Sequence, residues 1–533
     1  MGSQPTIEPD GRRKTVFIAV HQGFAARYLL RTAVLRTLKA AGARIVILTP
    51  NAGEPYMQEE FADEQVSLEP LRGDVASTKW RPALTLPGLE WKKGLPKGYQ
   101  LWWLIYNLRH YALPGLSDSA PFRQKYFHFE RKYLVKKPRR AGVLRRLIRL
   151  MWRSRRLRRS LLAIECRLYT PDLHGELFER YRPDLVVTSG PGWFINDAIV
   201  LREARRHRVP SVAVVLSWDN PTTKGYRGAD PDHVVAWSGR MVEQLVRHQD
   251  LRRDRIVVGG VPHFDHYASS SELPGREQLF GELGLDPDRR LILYATSTPG
   301  AYGHNVMVAQ TLARAIEEDR LGAPAQLVVR LHPIHFRVDR EPRLEAYERL
   351  VEQYPNVRLD LPEILSDSLR CDMPASDGER LGALLARCDV LVNVFSTTSL
   401  EAFLLDRPVA TVSPTAHLSE GSANDAGEAS AAPYRAWQEF AHLEELVGSG
   451  AARIAQSMPE LVDVVRAYLA DPSLDREQRL HVARRECGPT DGRSGERIGN
   501  YLLELMGVAT GSGAPDCSPS AGAEPARSLA RAR

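Results

Sequence analysis

Four hydroxyl residues, Ser396, Thr397, Thr398 and Ser399, stand together between an apolar run and a helical pattern. Backbone N–H groups exposed at a helix start, with hydroxyls beside them, suit a diphosphate. Thr296, Ser297 and Thr298 repeat the arrangement after another apolar run, within a loop that reaches His304. Glu401, just inside the helix that follows Ser399, could accept both hydroxyls of a ribose. Arg330 and His332 end a further apolar run, where a fixed cation and a titratable donor could meet charge growing on a leaving group. The same Ser and Thr residues could merely cap a helix. The gathering of Arg330, His332 and Thr296–Thr298 around them favours a ligand.

A second set of residues offers a base. Asp219 lies in Ser217-Trp-Asp-Asn-Pro-Thr-Thr-Lys-Gly225, placed to accept a proton or orient a sugar hydroxyl, or simply to form a turn before Pro221. Lys224 could meet a phosphate or close that loop by an ion pair, and Trp218 or Trp193 could stack on a sugar ring. His21, beside Gly23 at the end of the first apolar run, is the rival, since imidazole is a natural general base. The sequence leaves Asp219 and His21 both standing.

Several chemistries are disfavoured. No GxxxxGK[ST] stretch is present, and the segment after Val20 reads HQGFAARY, without the GxGxxG of common dinucleotide enzymes. Cys166, Cys371, Cys388, Cys487 and Cys517 are far apart and show no metal-ligand spacing, so scattered reduced thiols are expected. No tightly bound cofactor and no required metal are expected; any nucleotide would be a co-substrate.

The elements that must hold these residues are legible. Lys14–Val20, Ala43–Pro50, Pro183–Gly190, Pro210–Trp218, His233–Trp237 and Arg255–Gly260 read as buried strands separated by helical patterns. A second series comprises Leu291–Ser297, Gln326–Pro333, Asn356–Asp360, Cys388–Ser396 and Pro408–Pro414. Continuous apolar strands alternating with helices predict parallel sheets covered on both faces. At roughly 100–200 residues per domain, 533 residues accommodate two such units. The expected architecture is α/β, two Rossmann-like parallel-sheet domains facing across a cleft. Their expected bounds are 1–265 for the acceptor side, less regular between about 51 and 182, and 266–510 for the nucleotide side. A disordered Gly/Ser/Pro/Ala-rich tail is expected over 511–533. Ligands bind outside the carboxyl ends of such strands, where all the candidates above lie.

Charge is distributed unevenly. Between Arg131 and Arg159 there are 14 Lys or Arg and no acid, and without them the formal charge of +7 becomes −7. Within the segment 131–160, Val143, Leu144, Leu147, Ile148, Met151 and Trp152 recur at helical spacing among arginines. Such a basic amphipathic helix suits an anionic membrane surface; packing on the protein itself and binding of a polyanion are the alternatives. Nucleic acid is disfavoured, because stacking aromatics are scarce. No apolar run reaches the ~20 residues of a membrane span, and the polar start lacks a secretory segment. A cytoplasmic protein, resting peripherally on the inner face of the plasma membrane, is the expectation.

LILYATS, LVVRLHP (Leu327 to Pro333) and CDVLVNVFSTTSLEAFLLDRPVATV (Cys388 to Val412) resemble the GT-B superfamily of nucleotide-sugar glycosyltransferases. The nearest likeness is to bacterial surface-polysaccharide transferases. More distant similarities are to CDP-glycerol glycerophosphotransferases, through Asp491 to Leu502, and to UDP-N-acetylglucosamine 2-epimerases. The resemblance implies a nucleoside-diphosphate sugar held by the second domain, Glu401 on ribose and Ser396 to Ser399 on the diphosphate. It further implies a closing helix over Arg497 to Met506 that returns to the first domain, and a glycan or lipid-linked acceptor in surface polysaccharide or glycolipid synthesis. The chain departs from the epimerases in lacking a clear counterpart of their acidic catalytic residues. It departs from the glycerophosphotransferases in reading FSTTSLEA where they carry an Asp-Tyr-Ser-Ser type loop. Sugar transfer is therefore the leading expectation; 2-epimerase-like isomerisation and glycerophosphate transfer are the alternatives.

Overall fold

A computed structural model describes residues 12–73, 97–112, 138–269, 273–298, 302–336, 344–366, 368–416 and 440–508. The tail expected over 511–533, Cys517, the front of the basic segment (131–137) and residues 299–301 of the Thr296–His304 loop lie outside them.

Two all-parallel sheets organise the chain. The first contains β1 (Thr15–Ala19), β2 (Arg44–Thr49), β3 (Val66–Pro70), β4 (Leu185–Thr188), β5 (Ser211–Val214), β6 (His233–Ala236) and β7 (Ile256–Val258). Their order is β3-β2-β1-β4-β5-β6-β7. The second contains β8 (Arg290–Ala295), β9 (Ala325–Arg330), β10 (Val357–Asp360), β11 (Val390–Asn393), β12 (Val409–Val412) and β13 (Arg453–Ala455). Their order is β10-β9-β8-β11-β12-β13. The continuous apolar runs make these strands: Val16, Phe17, Ile18 and Ala19 are all fully buried because helices cover both faces. In each sheet the strand order reverses once, between β1 and β4 and between β8 and β11. Such reversals open a crevice at the carboxyl ends, the usual ligand position in open α/β sheets.

Two strands escape the pattern reading. β3 is an edge strand in which only Val66 is buried, and β13 is three residues long. The region expected to be irregular also holds helices Lys97–His110, Pro138–Arg153 and Arg155–Leu168. Ion pairs as well as buried apolar side chains fix them. Glu165 is buried between Arg109 (2.5 Å) and Arg202 (2.7 Å), and Arg158 grips both carboxylate oxygens of Asp250 at 2.7 and 2.9 Å.

The end of the chain returns to the first sheet. Helix Ser494–Leu505 packs on helix Ala33–Ala40 at two glycines. A Cβ on Gly495 would meet the Ala33 Cβ at 2.8 Å, and one on Gly499 the Thr37 Cβ at 2.6 Å. Glycine four residues apart is what lets these helices approach so closely. Asp265 caps the returning helix, accepting from the Ser494 and Gly495 N–H groups at 2.9 and 2.8 Å. No helix among the described residues is long and apolar enough to cross a membrane.

Candidate functional site

The two sheets meet through their strand-end loops. Gly23, just after β1, donates its N–H to the Arg370 carbonyl at 2.9 Å. A Cβ on Gly23 would lie 2.3 Å from the Asp372 backbone, so only glycine allows this approach. Asp372 is fully buried and accepts from Arg31 Nη1 (2.6 Å) and the Tyr56 hydroxyl (2.8 Å). Asn51 Nδ2 adds a hydrogen bond to Ser366 Oγ at 2.7 Å. The loops after β1 and β2 are thereby clasped to the loop after β10.

His21 stands at the first sheet's order reversal. Its Nδ1 lies 3.2 Å from Ser189 Oγ, after β4, and 3.4 Å from Asp197 Oδ1. Ser189 donates its own hydroxyl hydrogen to Asp197 Oδ2 at 2.9 Å. Both neighbours of Nδ1 are therefore acceptors, which places a hydrogen on Nδ1. Nε2 is buried and has no hydrogen-bond partner. The ring is thus oriented from its Nδ1 side alone.

Asp219 stands one strand further out, after β5, and is committed to its own loop. Ser217 and Thr223 hydroxyls donate to its two oxygens at 2.6 Å each, and Lys224 lies at 3.4 Å. Burial alone would raise its carboxyl, but the charges of Lys224 and His442 and those hydrogen bonds outweigh it and hold it well below the usual range. Such a carboxylate is a poor proton acceptor near neutrality and a good loop pin. Lys224 closes the loop by its ion pair. The tryptophans offered as sugar platforms are buried: Trp218 is 2% exposed and donates to Glu486 at 2.8 Å, and Trp193 packs under Gly190.

The second sheet's candidates are gathered but heavily engaged. Asn305 orders the loop after β8, accepting from the Ser297 N–H at 2.9 Å and donating to its carbonyl at 3.1 Å. Thr296 Oγ1 accepts the His332 N–H at 2.9 Å, tying that loop to the end of β9. The Thr298 carbonyl accepts from the Tyr302 N–H at 2.9 Å. Burial, helped by the charge of His335, lowers His332 to about 4, so its ring is neutral at pH 7. His332 Nδ1 accepts from the Ile334 N–H at 3.1 Å. The remaining hydrogen is thus on Nε2, a donor without fixed charge.

Arg330 is held by carboxylates. It is 5% exposed, donates to both oxygens of Asp377 (2.7 and 2.6 Å) and also binds Asp360. Two carboxylates already neutralise it, making it an anchor between β9, β10 and helix Ala375–Arg387. Glu401 is likewise covered: it is 4% exposed and takes the Tyr267 hydroxyl on Oε2. Burial raises its carboxyl above the usual range, against the pull of Arg27. Ser396 Oγ caps Thr398 N at 3.3 Å, while buried Asn393 Nδ2 donates to Ser399 Oγ (2.8 Å) and Thr398 Oγ1 (3.3 Å). The hydroxyl loop, Thr397 included, turns on Phe395, whose φ of 43° is left-handed.

Arg27 is the residue that strand-end reasoning missed. It lies in a π-helical turn, Ala26–Leu30, beyond β1. Its Nη2 is buried and without a partner. Its charge bears on His263, His266 and Glu401, and with burial it lowers His266 to about 4. The signal in the sequence was slight: one arginine among apolar neighbours after HQG. Among the described residues no group of three or more His, Cys, Asp or Glu is arranged to hold a metal ion.

The chain matches no protein-family model and no curated protein. Among solved structures it is similar to a Listeria monocytogenes protein provisionally named a UDP-N-acetylglucosamine 2-epimerase. Identity there is 11%, the TM-score is 0.50, and the match covers 93% of this chain and 97% of the other. A glycosyltransferase from Rickettsia africae matches at 11% identity and TM-score 0.46, over 93% and 99% of the two chains. The wall teichoic acid polymerase TagF matches at 10% and 0.47, over 93% and 89%. At these identities what is shared is the fold. With two parallel sheets meeting at their strand ends, this chain has a GT-B-like α/β architecture.

Proposed function

We propose that the protein is a glycosyltransferase that moves a sugar from a nucleoside-diphosphate donor to a hydroxyl of a glycan or lipid-linked acceptor, in surface polysaccharide or glycolipid synthesis. The observation that carries this reading is the His21–Ser189–Asp197 set, with Nε2 unpartnered at an order reversal of the sheet. An acceptor hydroxyl there would give its proton to His21 Nε2 as its oxygen attacks the anomeric carbon. Asp197 would stabilise the imidazolium that forms.

The bond to the departing diphosphate breaks as the new one forms. In this reading Arg27, rather than Arg330, supplies positive charge to the leaving group, His332 Nε2 donates a neutral hydrogen bond, and the hydroxyls of Thr296–Thr298 and Ser396–Ser399 line its path. Glu401 would reach a ribose on exchanging Tyr267 for it. Charge stabilisation by these groups leaves no step that needs a bound metal or cofactor. Isomerisation of the 2-epimerase kind would proceed without an acceptor, and glycerophosphate transfer would need a different donor.

A panel of UDP-, GDP-, CDP- and dTDP-sugars and CDP-glycerol, each with and without a lipid-linked acceptor, tests the proposal by product chromatography. Acceptor-dependent release of nucleoside diphosphate with a glycosylated product is expected, unchanged by a chelator. Epimerised sugar formed without acceptor, transfer from CDP-glycerol alone, or no donor bound at millimolar concentration would each overturn it.

A further inference from the structure

Helices Pro138–Arg153 and Arg155–Leu168 follow one another with only Ser154 between them, whose Oγ accepts the Leu157 N–H at 3.3 Å. Their inward side is firmly held. Ile148 and Leu162 are 1% and 3% exposed, Trp152 Nε1 donates to the Tyr111 carbonyl at 2.7 Å, and Met151 is half-buried. Arg158 ties the joint together, donating to the Met151 and Trp152 carbonyls (2.7 and 2.9 Å) as well as to Asp250. Part of the apolar stripe foreseen in the sequence therefore packs on the protein itself.

The outward side is different. Of eight large hydrophobic side chains exposed among the described residues, five are here: Leu147 (42%), Leu150 (53%), Leu157 (39%), Ile164 (49%) and Leu168 (42%). Leu157, Ile164 and Leu168 recur at seven- and four-residue intervals, along one face of their helix. Exposed arginines surround them, at positions 146, 149, 153, 155, 156, 159 and 167. The one acid in the two helices, Glu165, is fully buried between Arg109 and Arg202. Over residues 146–168 the solvent-exposed sides of the two helices thus carry leucine, isoleucine and guanidinium, and no exposed carboxylate.

We propose that this face docks on an anionic lipid bilayer. A solvated helix face has no use for five exposed branched side chains, and a core-facing one would bury them. Pairing with a second copy would set arginine against arginine, since a two-fold interface meets itself. Nucleic acid would satisfy the arginines but would leave aliphatic side chains where stacking rings belong. At a bilayer, leucine and isoleucine enter the acyl boundary while guanidinium groups remain with phosphates. The proposal is independent of the reaction assigned above.

Sedimentation of the full chain with vesicles of phosphatidylcholine, with and without phosphatidylglycerol, tests it. Binding to the anionic vesicles alone is expected, weakening as salt rises. Leu150→Gln with Ile164→Gln should lower the bound fraction about tenfold or more, with unchanged melting because both positions are exposed. Arg149→Gln with Arg156→Gln should reduce the preference for phosphatidylglycerol. The proposal fails if the parent binds neither vesicle or binds both equally. It also fails if the leucine variant binds like the parent, if duplex or single-stranded DNA competes the protein off the vesicles, or if Leu150→Gln dissolves a dimer.

Discussion

At the end of β1, His21 has one nitrogen oriented by Asp197 and Ser189 and the other buried without a partner. At the end of β9, Arg330 has its guanidinium spread over Asp360 and Asp377. Both are strand-end residues of a type that does chemistry. The difference lies in their partners: the fold supplies two carboxylates to Arg330, whereas His21 is held on its Nδ1 side alone. The same contrast separates His21 from Asp219, whose two oxygens are filled by Ser217 and Thr223.

Substitutions can break this comparison from either side. Asp197→Asn should cost roughly 10²–10⁴-fold in turnover, because an amide can no longer fix the Nδ1–H tautomer. Donor affinity, read by calorimetry, should be unchanged. Arg330→Ala should act on stability instead, by about 3–5 kcal/mol in denaturant unfolding, since it takes the cation from buried Asp377 and leaves Asp360 with Arg380 alone. A loss of donor binding with full stability would show that Arg330 belongs to the site after all.

Smaller effects sharpen the picture away from the cleft. Gly499→Val should cost about 1–3 kcal/mol by forcing the closing helix off Thr37. His332 gives a pH signature. Its folded value of about 4 lies below the ordinary 6.5, so the unfolded chain takes up the proton first. Stability should therefore fall as pH drops from 6.5 towards 4 and stop responding to this group below that. Against the parent, His332→Gln should flatten unfolding across this window by at most about 1.4 kcal/mol per pH unit.

Much of the scaffold was legible because buried parallel strands write themselves as continuous apolar runs. Edge strands do not: Ser67, Leu68 and Glu69 of β3 alternate in type and are only half-covered. The insert was legible only in part: spacing within 131–160 gives a helix, but residues such as Arg109, Glu165 and Arg202 read as surface residues until their partners are seen. For the site, sequence supplied His21 and its position but not its partners, because Ser189 and Asp197 are remote in the chain and adjacent only through the β1–β4 pairing. It proposed Arg330 and Glu401 by type and place, yet pairing with Asp377 and Tyr267 is a tertiary fact. Arg27 carried no pattern, and only its unpartnered Nη2 marks it.

The proposed reaction stands or falls on His21, not Asp219, as the base. Turnover of a donor and acceptor by His21→Ala and Asp219→Asn, measured side by side with donor affinity, tests it most directly. A loss of about 10²-fold or more is expected for His21→Ala and of less than about threefold for Asp219→Asn, with the donor bound equally by both. The reverse ranking, with His21→Ala active and Asp219→Asn dead, would contradict it.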